Sequence, residues 1–310
     1  MSNKTEWKGK SRGAVIGYKI FIFFLKHFGV SFAYFFLYFV ALYYVPFAPK
    51  ATRASYFYFR KIQQFSFFKS LIYIYWSYYR FGQTLLDKVA VMAGFSPQFT
   101  YHFDGEHHLR DLADRGEGAI LISAHIGNWE IASHFLKKLN CPVNIVMLDA
   151  ERQQIKELLD KSMSQREFKI IAVKEDFSHL LKIHEAIRRK EFICIHGDRY
   201  IPEHGSKTYR TEFLGYNALF PRGPFELAAR LKIPYTYVFA IKETNRHYHF
   251  YAMPGKMLET GKVEAMIEEY LQHMERVLND APEQWFNYYP FWERPNAGSN
   301  HKIATIEQKN

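Results

Sequence analysis

GAILISAHIGNWEIASHFLKKL, residues 118–139, reads as one strand, one turn and one helix. AILIS is short and apolar enough for a strand buried on both faces. Gly127 followed by Asn128 reads as a turn feeding an N-cap, and NWEIASHFLKKL carries the helical period that follows such a cap. A buried strand running into an amphipathic helix is half of a parallel α/β unit.

The same texture recurs on either side. PVNIVML (142–148), FKIIAV (168–173), EFICIHG (191–197), YTYVFAI (235–241) and HYHFYAM (247–253) are strand candidates. Between several of them lie helical stretches: ERQQIKELLDKSMSQ (151–165), FSHLLKIHEAIRRK (177–190) and GPFELAARLK (223–232). Such alternation predicts an α/β domain around a largely parallel sheet. VEAMIEEYLQHMERVLND (263–280) reads as a closing amphipathic helix.

Upstream the composition changes. The 29 Phe and 22 Tyr are concentrated in the first eighty residues, and Phe28 to Phe47 runs twenty residues without a charge. That is about the length needed to cross roughly 30 Å of hydrocarbon. Tyr34, Tyr38, Tyr43 and Tyr44 suit a membrane interface, and no small-residue cleavage site follows the run, so it reads as a retained anchor. Cations flank both ends, Lys4 to Lys26 before it and Lys50 to Lys69 after it, so charge does not choose between a span and a monotopic anchor. From residue 51 to 95 aromatics and cations alternate at helical spacing, fitting either interfacial helices or helices packed on the domain. The expected organisation is an anchor over 1–50, amphipathic helices over 51–97, a catalytic domain over 98–298 and a flexible tail over 299–310.

The 41 Lys and Arg against 31 Asp and Glu leave a net charge of +10, favouring acidic or phosphate-bearing partners. The basic residues cluster beside the apolar run and no nucleic-acid motif is visible, which favours an anionic membrane surface over nucleic acid. Cys141 and Cys194 have neither the spacing of a metal site nor that of a disulfide framework. The remaining histidines show no ligand spacing, and no metal or cofactor is expected.

In SAHIGNWE, His125 falls at the carboxyl end of a strand, where open α/β sheets place ligands. Glu130 falls in the first helical turn, where the helix dipole keeps it ionised. If the turn folds that carboxylate toward the ring, it accepts Nδ1–H and leaves Nε2 free to take a proton from a substrate hydroxyl. Spacing alone equally allows a core histidine beside a helix-dipole glutamate. Gly127 and Asn128, next to the base, are candidate N–H donors to an oxyanion.

SAHIGNWE resembles the His-x4-Asp/Glu motif of lysophospholipid-type acyltransferases, in the form found among bacterial lipid A late acyltransferases. GDRYIPEHGSKTYRTEFLGYNALFPRGPFELAARLKIP (197–234) is similar to that family's central block, and APEQWFNYYPFWERP (281–295) to its C-terminal signature. The resemblance implies a glycerol-phosphate-acyltransferase-like fold: a mixed, largely parallel sheet flanked by helices, with an N-terminal membrane helix. It implies acyl transfer from acyl carrier protein or acyl-CoA to a lipid hydroxyl or amine, at the cytoplasmic face of a bacterial inner membrane. His125 would be the general base and Glu130 its partner. Arg152, Asp198 and Arg199 would face the substrate, and Arg222 with Gly223 would cradle a phosphate. Water as acceptor would make the same dyad a thioesterase, and a non-catalytic membrane-surface binder would dispense with it. Where the family's tail carries a basic cluster, this chain has FNYYPFW, which points to an acceptor less charged than a lipid A precursor, such as an aminolipid or an aryl-polyene or flexirubin-type lipid.

Overall fold

The computed structural model describes residues 15–91, 98–129, 131–132, 141–148, 169–173, 176, 178–200, 207–256 and 262–293, with the backbone alone at 15–22, 26 and 148. Seven strands form one sheet in the order β1-β9-β8-β2-β5-β3-β4. These are β1 (Thr100–Asp104), β2 (Ala119–Ser123), β3 (Val143–Leu148), β4 (Lys169–Val173), β5 (Phe192–His196), β8 (Tyr235–Lys242) and β9 (His247–Pro254). Every neighbouring pair is parallel except β8 and β9, which run antiparallel. The mixed α/β fold with a mostly parallel sheet agrees with the reading of the sequence.

β2 lies near the middle of the sheet, and its alternate residues enter different cores. Ile120 and Ile122 join the larger apolar cluster on one face, while Ala119 and Leu121 join a second cluster on the other. Two-sided burial is why AILIS shows no polar alternation. The larger core takes α7 (Val263–Asp280), whose Met266, Ile267, Tyr270, Leu271, Met274, Val277 and Leu278 are buried. The smaller includes Leu109 and Leu112 of α4 (Glu106–Asp114), while Ile183 and Ala186 of α5 (Ser178–Arg188) join the larger. Cys141 and Cys194 are free thiols.

Two elements depart from the sequence reading. β1 adds an edge strand, and the segment between the strand at 191–197 and the helix at 223–232 contains a hairpin, β6 (Thr208–Phe213) with β7 (Tyr216–Pro221). Its two turn residues, Leu214 and Gly215, both have positive φ, 53° and 81°, as a tight two-residue hairpin requires. Its strands are six residues each and alternate exposed residues such as Arg210 and Glu212 with inner ones, so no continuous apolar run marks them.

The N-terminal helix α1 (Val15–Phe47) is two helical arms meeting at Gly29, whose φ of 78° and ψ of 176° break the spiral. Phe24 lies 5.2 Å from Phe32 and 5.1 Å from Phe36, centroid to centroid. A straight helix would separate residues 24 and 36 by about 18 Å along its axis, so the first arm doubles back on the second. Val30, Ala33, Tyr34, Leu37 and Ala41 of the second arm are buried, and this arm packs on α3 (Phe67–Ala90). Phe28, Phe35, Phe39, Leu42 and Phe47 remain exposed. His27–Phe47 is apolar and long enough to cross a membrane and is a candidate anchor.

α2 (Pro49–Phe57) runs through a π-helical turn (Tyr58–Ile62) toward α3, which Ser66 caps by accepting from Lys69 N–H. α3 answers both readings of its aromatics, at opposite ends. Its first turns expose Phe67, Phe68, Leu71 and Ile72, while its later turns bury Tyr78, Tyr79, Gln83, Leu86 and Asp87. Residues 92–97 and 294–310, and hence the tail expected over 299–310, lie outside the described residues.

Candidate active site

β2 and β5 are adjacent and parallel, with Ser123 paired to His196, so both chains leave the sheet side by side at their carboxyl ends. His125 stands two residues beyond one strand and Asp198 two beyond the other. Asp198 Oδ1 lies 2.7 Å from His125 Nδ1, and Oδ2 accepts the backbone N–H of the same histidine at 3.0 Å. Trp285 donates its indole N–H to Oδ2 at 3.2 Å.

Asp198 is completely buried, and burial alone would raise its pKa. The adjacent His125 and its hydrogen bond, with the Arg199 charge, outweigh that and hold the carboxyl below its usual range. An ionised carboxylate can only accept, so Nδ1 carries the hydrogen and Nε2 of a neutral ring carries the lone pair. Nε2 has no hydrogen-bond partner among the described residues, and the side chain keeps 21% of its surface exposed.

His196 stacks on His125 at 4.2 Å, with the rings 25° from parallel, and Trp129 meets its edge at 5.0 Å. Burial, helped by the neighbouring His125 and Arg199, drives the His196 pKa far down and keeps it uncharged. It therefore places a neutral plane, not a second cation, against the base.

The backbone around His125 is clamped by the C-terminal segment. Phe286 N–H donates to His125 O at 3.0 Å, and Gly127 N–H donates to Gln284 O at 2.8 Å. Asn128 N–H donates to Ala240 O at 2.8 Å. Gly127 has a φ of +62°, and a Cβ there would lie 1.8 Å from Ala240 O, so glycine is required. Asn128 is the N-cap expected: its Oδ1 accepts Ile131 N–H, while Nδ2 donates to Thr84 O and to the Tyr248 hydroxyl.

The expected site residues thus separate. His125, Asp198 and Arg199 come together, Arg199 donating to Phe286 O at 2.5 Å and lying over the Tyr289 ring. The two amides expected to face an oxyanion, those of Gly127 and Asn128, donate instead to backbone carbonyls. Arg222 sits at the start of α6 (Gly223–Leu231), with its guanidinium paired to Glu226 at 3.0 Å and Glu264 at 2.6 Å. A Cβ on Gly223 would meet nothing within 4 Å, so the space beside it is open. Glu130, Arg152 and Arg294 lie outside the described residues.

His196 and Trp285 were not singled out in the sequence, although both fall in stretches that were. Their local signals are those of an ordinary strand residue and a core aromatic. The ligand atoms of His125, His196 and Asp198 lie within 4.8 Å of one another, a set able to approach a cation. Both Asp198 oxygens already accept N–H groups, so the arrangement suits an oriented base better than a metal centre.

A family model described as bacterial lipid A biosynthesis acyltransferase matches residues 77–294. No curated protein matches the chain. The matched span takes in both sheet cores and the His125, Asp198 and Trp285 constellation, and it covers well over half of the sequence. The chain belongs to the bacterial lipid A biosynthesis acyltransferase family.

Proposed function

We propose that this acyltransferase moves a fatty acyl group from an acyl thioester to the hydroxyl or amine of a membrane lipid, with His125 as general base and Asp198 as its orienting carboxylate. The observation that carries the reading is the buried, ionised Asp198 against Nδ1, which leaves the partly exposed Nε2 as the basic atom. In the forward step Nε2 takes the acceptor proton as the acceptor oxygen or nitrogen bonds to the thioester carbonyl carbon. The resulting imidazolium is stabilised by Asp198. Collapse of the tetrahedral intermediate breaks the carbon–sulfur bond, and the imidazolium proton passes to the leaving thiolate. No protein nucleophile is needed.

Arg152 keeps its substrate-facing role in this reading on the family's motif order, and Asp198 takes the orienting role expected of Glu130. Arg222, held by two glutamates, is assigned a structural role. The basic net charge favours acyl carrier protein over CoA as donor, through steering of an acidic partner. Attachment at the cytoplasmic face is monotopic in this reading: the doubled-back α1 keeps one face on α3 and offers the other to lipid.

In the stretch 286–292, Phe286, Phe291 and Trp292 are buried, and Tyr288 hydrogen-bonds Ser77 at 3.1 Å. These aromatics support the site from within. The lack of cations there still favours an acceptor with fewer phosphates than a lipid A precursor.

The test is incubation of the purified protein with labelled acyl-carrier protein or acyl-CoA and membrane lipid, read by mass spectrometry. Labelled acyl lipid is expected, and His125→Ala should lower its formation about 10²- to 10⁴-fold. Free fatty acid as the sole product would make the protein a thioesterase, and full function in His125→Ala would make it a binder.

A further inference from the structure

His102, Asp104 and His249 were unremarkable in the sequence, but the parallel pairing of β1 with β9 sets His102 directly opposite His249. Asp104, two residues along the same strand, turns its carboxylate between the two rings. His102 Nε2 lies 2.9 Å from Oδ1 and His249 Nε2 lies 3.0 Å from Oδ2. The ligand atoms of all three side chains fall within 4.8 Å of one another. On its far side, His249 Nδ1 lies 2.8 Å from Glu243 Oε1 and 3.1 Å from the Tyr251 hydroxyl.

The Glu243 contact determines the chemistry of the cluster. Glu243 lies against the outer nitrogen of His249, so the inner Nε2 is turned toward Asp104 and His102. A carboxylate holding the outer N–H of an imidazole whose inner nitrogen faces a shared centre is the outer shell typical of histidine metal ligands. Two imidazole nitrogens and one carboxylate also form the ligand set of three-ligand zinc sites, which leave a fourth position to water.

The geometry points to a divalent transition-metal site on the sheet edge, with His102 Nε2, His249 Nε2 and Asp104 as ligands and Glu243 orienting His249; we infer that an ion of the Zn²⁺ class binds there and clips β1 to β9. The cluster, on β1 and β9, stands apart from His125, which follows β2, because β8 intervenes. Its role is structural. It ties residues 145 positions apart in the chain, and cross-links that close long loops stabilise a fold most.

Untagged full-length protein in detergent is titrated with Zn²⁺ by calorimetry, and its melting is followed with and without the ion. One equivalent and a raised melting temperature are expected. His102→Ala and Asp104→Ala, at exposed positions that leave the cores intact, should weaken binding at least tenfold and abolish the melting shift. Glu243→Gln should weaken it about 10- to 100-fold. Co²⁺ as the probe should give a visible absorption band that the same variants lose. A His125→Ala/Asp198→Asn variant should keep the equivalent, whatever becomes of acyl transfer. Equal Zn²⁺ affinity in the wild type and in His102→Ala, or binding lost in the His125→Ala/Asp198→Asn variant alone, overturns the site.

Discussion

Asp198 Oδ1 stands 2.7 Å from His125 Nδ1 although 73 residues separate the two along the chain. Because the carboxylate is buried and ionised, its contribution lies in the imidazolium it offsets and in the tautomer it selects. Asp198→Asn preserves shape but removes the charge. Acyl transfer should fall about 10²- to 10⁴-fold with little change in KM. Steady-state rates on a variant with an unchanged circular dichroism melt decide it, and a loss below tenfold would remove Asp198 from the reaction. The same group sets an acid limit. Its folded pKa lies below the unfolded value of about 3.9, so the stability it contributes is present above that pH and is lost as pH falls through the folded value. The wild type should therefore lose urea resistance between pH 5 and 3 more steeply than Asp198→Asn.

Gly127 touches the neighbouring strand so closely that no side chain fits. Its added methyl would meet Ala240 O at 1.8 Å and Ala240 C at 2.8 Å, both rigid backbone atoms of β8, with φ already in the left-handed region. Gly127→Ala should displace the turn that carries His125. Loss of activity together with a melting temperature lower by several degrees is expected, and an unchanged melt would show that the close approach is not needed.

Asp87 and Lys242 form a fully buried ion pair beneath the anchor arm. The Tyr34 and Tyr248 hydroxyls both donate to Asp87, and Tyr248 in turn receives Asn128 Nδ2–H, three residues from His125. Removing one charge strands the other. Lys242→Met should cost about 3–5 kcal/mol in denaturant unfolding, whereas Asp87→Asn combined with Lys242→Met should cost clearly less. Additive losses would mean that the pair does not act as a unit.

The outward face of the second arm of α1 offers Phe35, Phe39 and Leu42 to the surroundings. Replacing all three with Ser should leave folding intact, because none is buried. Co-sedimentation with vesicles of anionic and neutral phospholipid should drop at least tenfold, since each large apolar side chain contributes about 1.5–3 kcal/mol on leaving water. Undiminished co-sedimentation would place the membrane contact elsewhere.

Local pattern was enough for much of this molecule. The predicted strands at 142–148, 168–173, 191–197, 235–241 and 247–253 each match an observed one to within a residue at either end, and the predicted closing helix over 263–280 coincides with α7. Such elements are legible because burial on two faces demands unbroken apolar runs and burial on one face demands a period. The hairpin of β6 and β7 has no such apolar run: its short strands are only half buried.

His125 was likewise legible, since a strand end followed by Gly and Asn is a local arrangement. Its partner was not. The sequence by itself offered Glu130, five residues away, because local spacing reports only what a single turn can reach. The tertiary structure set Asp198 on Nδ1, because parallel pairing of β2 with β5 brings two strand ends together irrespective of the residues between them. The same cause joined His102 to His249 across β1 and β9. Composition and periodicity determine which segments become strands and helices, whereas strand order and register decide which side chains meet.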